Sequence, residues 1–246
     1  MPALPLAAGL LGLLLTQAAP SVPAGYAVHQ SLGLDPAANG IDGALQILED
    51  ARMTPALRQG MWGQTTDTDL VLAERDPLRR RLAKTPLRPA HLRLIDKAGT
   101  VVEDQAFDVP LAGLDRQQLH DGPATILVTT DHSVGTGSDA GLETSLWTVD
   151  HGELMPEPLP GRPVLVRSLK NAWKIVDEKT AEGIATKAIQ LVACHPNWAN
   201  KDWARTEEFV VELTSYRWAG GAWHDTSTSA TGYWESSEDW PDGRFP

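Results

Sequence analysis

The densest set of reactive side chains lies between two β-branched runs. The segment Asp131-His132-Ser133-Val134-Gly135-Thr136-Gly137-Ser138-Asp139-Ala140-Gly141 holds one histidine, two serines, two aspartates and three glycines. It is longer than a hairpin needs, and long connectors on a rigid sheet are where binding groups concentrate. Nucleophilic chemistry would need a serine at a sharp elbow with glycine two residues before it, but Ser138 has Thr136 there. Dinucleotide binding would need G-x-G-x-x-G opening a helix. Gly135, Gly137 and Gly141 are spaced G-x-G-x-x-x-G and precede a strand-like run. With both templates broken, Asp131, His132, Ser133, Ser138 and Asp139 read as ligand or partner contacts, with no catalytic role assigned. If the segment did work on a glycan, Asp131 with Asp139, or Glu235 with Glu238, would supply the paired carboxylates that a glycosidase requires.

Tryptophan offers a second kind of chemistry. Six of the nine (positions 198, 203, 218, 223, 234 and 240) fall in the last 49 residues. Indoles on a sheet form flat platforms that stack on sugar rings or anchor a protein partner, and otherwise they pack over a core. Arg217-Trp218-Ala219-Gly220-Gly221-Ala222-Trp223 reads as a hairpin tip with two rings facing across it, so Trp218 and Trp223 join the candidate binding residues.

No metal template is met, and no cofactor is expected. The seven histidines form neither H-E-x-x-H nor an i, i+4 pair. Counted as a calcium loop from Asp35, the third position is Ala37 and the twelfth is Gln46, so required oxygen ligands are missing. The acidic clusters around Asp67 and over Glu235–Asp242 read as solvated surface. A single cysteine, Cys194, excludes an internal disulfide, and burial is its expected state.

Charge and hydropathy narrow the setting. Twenty-one basic against thirty-two acidic residues give a net charge of −11, which opposes non-specific binding to nucleic acid. A basic island over residues 52–98, with ten basic and five acidic side chains, reads as a solvated face. The first 24 residues carry no charge and centre on an apolar run from Leu10 to Leu15. Broken by Pro2, Pro5 and Pro20, the run is too short to span a bilayer and reads as a secretory signal peptide. The mature chain is expected in the periplasm or outside the cell, without a transmembrane segment.

The elements that must carry these residues are mostly strands. Residues 25–39 read as irregular. Asp42 as a cap, with Leu45, Leu48 and Met53 at helical spacing, predicts a helix. Thr54-Pro55 predicts a second helix ending at Gly60, and Asp76-Pro77 a third. From His91 the pattern turns to strands: a hairpin through Asp96–Gly99, then TILVTT paired with ETSLWTV, then PVLVRSL, KAIQLVAC and EEFVVELTSYRW. The organisation read from this is a signal peptide over 1–24, a partly helical region over 25–90 and a β-rich domain over 91–246. The expected fold is mainly β, an antiparallel sandwich or propeller-like array with short N-terminal helices.

The stretch ILVTTDHSVGTGSDAGLETSLWTVDHGEL, the later VACHPNW and the ending GYWESSEDWPDGRFP resemble a group of uncharacterised exported proteins of Gram-negative bacteria. The resemblance spans roughly residues 90–246; it implies export and a β-rich fold and assigns no site residue. The expected function is therefore an exported, non-enzymatic binding protein, with an inhibitor or immunity protein for an envelope-directed enzyme as its specific form. Its partner would be that protein or a cell-wall glycan, and an acidic surface suits a basic enzyme. The alternative is an envelope hydrolase acting on glycan or peptide.

Overall fold

A computed structural model describes residues 22–63, 84–133, 141–179 and 185–245. Among the described residues the fold is mainly β, built from three open antiparallel sheets with few helices. The first sheet runs β1 (Tyr26–Gly33), β2 (Gly43–Asp50), β3 (His91–Asp96) and β4 (Val101–Ala106), in that order. The second holds β5 (Ala112–Gln117), β6 (Thr125–Asp131), β7 (Leu142–Asp150) and β8 (Glu153–Pro156), with β9 (Leu165–Arg167) also on β7. The third is β10 (Asn171–Lys179), β11 (Ala185–Pro196), β12 (Phe209–Ala219) and β13 (Ala222–Thr231). Apart from β9, each sheet is thus a meander of neighbours in sequence.

The meanders stack because the middle one is apolar on both faces. Along β6, Ile126 and Val128 point to the first sheet, where they meet Leu45, Ile47, Leu92 and Leu94. Leu127 points the opposite way, as strand alternation requires, and joins Leu146, Ile189, Leu191 and Tyr216 between the second and third sheets. The outer face of the third sheet is covered in turn by the chain's end. Trp234, Trp240 and Phe245 pack on Val192, Val211 and Cys194. Cys194 is buried as expected, and its sulfur lies 3.4 Å from the Trp234 backbone N–H.

Two expectations fail in the first sheet. Residues 43–50, read as part of a helix, form β2. Leu45 and Ile47 face one core while Leu48 and Asp50 are buried on the other face, so the Leu45/Leu48 spacing mimics a helical stripe in a strand covered on both sides. Gly43 permits the pairing with β3, because a Cβ there would sit 2.1 Å from the Ile95 carbonyl oxygen. Residues 25–39, read as irregular, supply β1 and the four-residue α1 (Pro36–Asn39). β2 pairs directly with β3, so the first sheet is continuous across the proline-containing stretch near 84–90.

The second helix is α2 (Pro55–Met61), ending one residue past Gly60, with the Thr54 hydroxyl accepting from the Leu57 N–H. The expected helix at Asp76-Pro77 lies outside the described residues, as does the signal segment through residue 21. No described helix is long and apolar enough to cross a membrane.

Candidate functional site

The connector after β6 is tied inward at its first residues. Asp131 Oδ2 accepts from the Gly63 N–H at 2.9 Å; Oδ1 accepts from the Ser133 N–H at 2.9 Å and from the Ser133 hydroxyl. Asp131 and Ser133 are both buried, and these donors satisfy the carboxylate within the fold. Their role in the structure is to fasten the end of β6 to the chain after α2. His132 is different. Its Nε2 lies 3.1 Å from Thr130 Oγ1, 3.7 Å from Glu143 and 4.0 Å from the exposed Asp108, and its ring is partly open to solvent. Ser138 and Asp139 lie outside the described residues.

The paired indoles face each other as expected; Trp223 is buried, while Trp218 is half-buried and lines a shallow cleft with Leu119 and His120. Trp218 opposes Trp223 across the Gly220-Gly221 turn, with ring centroids 5.5 Å apart and planes at 77°. Both glycines have positive φ, as a tight hairpin turn of this hand requires. Trp223 is only 6% exposed, and its indole N–H donates to Glu157 Oε1 at 2.8 Å. The same oxygen lies 2.7 Å from His120 Nε2, while Glu157 Oε2 accepts from Thr125 at 3.2 Å. His120 Nδ1 is 2.8 Å from the Asp121 carbonyl, and its ring stacks on Trp218 at 4.0 Å. Both ring nitrogens of His120 are therefore already engaged within the fold. His120 and Glu157, which the sequence reading passed over, therefore clamp the tip of the third sheet onto the second.

This arrangement makes Trp223 a structural residue. Trp223→Phe keeps an aromatic ring but removes the donor to Glu157, and should cost roughly 2 kcal/mol, the scale of a hydrogen bond to a charged acceptor. Urea unfolding of the variant checks this. A stability equal to the parent's would mean that the indole N–H contributes nothing to the clamp.

The far end of the same sheet face is open. Strands β11 and β12 have twelve and eleven residues, against six and seven for β5 and β6. On the face that buries Ile189, Leu191 and Tyr216, alternation continues to His195, Glu212, Ser227 and Ser229, which are partly or fully exposed. These residues line a cleft of about 340 Å³ together with Asn197 and Trp198. Trp198 is 64% exposed. Its loop is braced by Glu208, whose carboxylate accepts from Asn197 and Asn200, both at 2.6 Å. Those two amides, Asn200 first, hold Glu208 below the usual carboxylate range, so the brace stays ionised at neutral pH.

Within the cleft, His195 Nδ1 lies 2.9 Å from the Pro196 carbonyl, which directs Nε2 toward Glu212 at 3.8 Å. Glu212 Oε1 accepts from the Thr214 hydroxyl, which in turn lies 2.8 Å from Ser227 Oγ. The serine is thus joined to a threonine and not to the imidazole, which is no nucleophile–base geometry. An indole platform, one carboxylate, one imidazole and a row of hydroxyls instead make a set that recognises polyhydroxyl compounds. The sequence signal for it was VACHPNW, distinctive as a string, although none of its residues was selected as a site.

Among the described residues, no group of three or more histidine, cysteine, aspartate or glutamate side chains is arranged to hold a metal ion. The chain matches no protein-family model, no curated protein and no solved structure.

Proposed function

We propose that this chain is an exported binding protein that holds a cell-wall glycan in the His195–Trp198–Glu212 cleft and makes or breaks no bond in it. The observation that carries the reading is the exposed Trp198 indole, on a braced loop, beside a carboxylate, an imidazole and the β13 hydroxyls. A sugar ring stacks its C–H face on the indole, and its hydroxyls donate to Glu212 and exchange hydrogen bonds with Ser227 and Ser229. Export rests on the uncharged apolar N-terminus of the sequence.

Titration with soluble peptidoglycan fragments and chitooligosaccharides by calorimetry tests the proposal. Binding is expected without release of new reducing ends, and Trp198→Ala should weaken it roughly tenfold or more, as loss of an aromatic anchor does. No binding, or equal affinity in the variant, would remove the glycan reading. The net charge of −11 favours one competitor, an inhibitor of a basic envelope enzyme. A stoichiometric protein captured from envelope extract, whose binding survives Trp198→Ala, would put that competitor first.

A further inference from the structure

A second cleft, of about 420 Å³, opens in the first sheet beside α2, lined by His29, Met53, Pro55, Arg58, Gln59 and Trp62. Its polar centre arises from an irregularity in β1. The register shifts between Val28 and Gln30, so His29 is the extra residue of a β-bulge and leaves the regular alternation. The bulge brings His29 Nδ1 to 3.7 Å from Glu49 Oε2. Glu49 is buried, and its other oxygen accepts from Arg58 Nε at 3.2 Å and from the Ala112 N–H at 3.3 Å.

The cation in the cleft is already committed. Arg58 pairs with Glu49, donates through Nη2 to the Ala112 carbonyl at 2.8 Å, and lies over the Trp62 ring at 4.3 Å. Charge is therefore balanced locally, and an anion gains little here. What the cleft offers is apolar surface from Met53, Pro55 and Trp62, and the His29 imidazole, whose Nδ1 is the ring nitrogen near Glu49.

We propose that this cleft binds a phenol, an aromatic ring packed among Met53, Pro55 and Trp62 with its hydroxyl donating to His29 Nε2. A donor suits the site because the Glu49 charge, 3.7 Å from Nδ1 and so acting through space and not through a hydrogen bond, favours the imidazole proton on Nδ1 and the lone pair on Nε2. Burial, first, and the Arg58 charge, against the opposing pull of Glu49, hold His29 below its ordinary value of 6.5. Glu49 on β2 and Arg58 on α2 are the charged groups facing it. The acceptor form thus dominates at neutral pH and persists into mild acid.

The test compares p-cresol with 4-methylanisole, of similar shape but without a donor, by saturation-transfer NMR and calorimetry on the full chain. The cresol should bind at least about tenfold more tightly, the worth of one well-placed hydrogen bond. That preference should fall away as acid protonates His29. It should vanish in His29→Phe and survive in part in His29→Gln, whose side-chain carbonyl still accepts; matching thermal melts show that both variants fold. N-acetyltyrosinamide distinguishes the source. Binding equal to that of p-cresol assigns the phenol to a tyrosine side chain, and rejection assigns it to a free small molecule. Equal affinity for cresol and anisole, or a preference unchanged in His29→Phe, would overturn the assignment.

Discussion

Glu157→Ala should melt about 10 °C below the parent chain. The carboxylate is the shared partner of His120, Thr125 and Trp223, two groups at or just before the start of β6 and one on β13. Removing it leaves an imidazole, a hydroxyl and an indole N–H buried without their partner, and burial is what makes that costly. Leaving a buried donor without its acceptor costs about 1–3 kcal/mol, so the three together cost roughly 3–5 kcal/mol, and a chain of this length loses roughly 2–4 °C per kcal/mol. Glu157→Gln keeps an oxygen for one donor and should lie between parent and alanine variant. The melt is read by circular dichroism. An alanine variant melting within about 1 °C of the parent would show that the hairpin tip is held by its apolar contacts and not by this acceptor.

Asp50→Asn should cost roughly 2–4 kcal/mol at neutral pH, and the cost should shrink as the solution is acidified. Asp50 closes β2 with a buried carboxylate that accepts from Arg52 Nη2 at 2.6 Å, Arg52 Nε at 2.9 Å and the Arg88 N–H at 2.9 Å. Arg52 also reaches the Pro86 carbonyl, so one carboxylate organises both arms that flank residues 64–83. The Arg52 guanidinium, then the backbone N–H groups of Arg88 and Arg52, hold Asp50 well below its ordinary value of 3.8 despite the opposing effect of burial. The folded state therefore binds this proton less readily than the unfolded one. The stabilisation is complete above the ordinary carboxylate range and is lost as pH falls through it toward the folded value. Urea unfolding of parent and variant at stepped pH should show the two curves converging in acid. A difference that stays constant down to about pH 3 would mean that the Asp50 charge is not what stabilises this corner.

Where the local code was strong, the sequence was enough. Thr54-Pro55 fixed the start of α2 because cap and first helical position are decided within four residues. Gly99, at φ +84°, and the Gly220-Gly221 pair marked two hairpins because few other residues take those angles readily. The runs TILVTT and FVVELTSYRW were legible as strands from β-branched content alone. β2 was not, because a strand buried on both faces has no alternation to read. β1 was hidden by its own bulge, and β13 by a threonine- and serine-rich, mostly exposed edge.

The candidate sites divide along the same line. Amino-acid type and spacing determined that Trp218 and Trp223 would face each other, and that Asp131 and Ser133 would sit where a strand becomes a loop. Whether those groups meet solvent was decided by partners far along the chain. Glu157 is 66 residues from Trp223, and Gly63 is 68 from Asp131. A hydrogen bond between such groups leaves no periodicity in the sequence, because only the stacking of one sheet on another brings them together. The same stacking, ending where the longer strands of the third sheet run on, leaves Trp198 and Glu212 open to solvent.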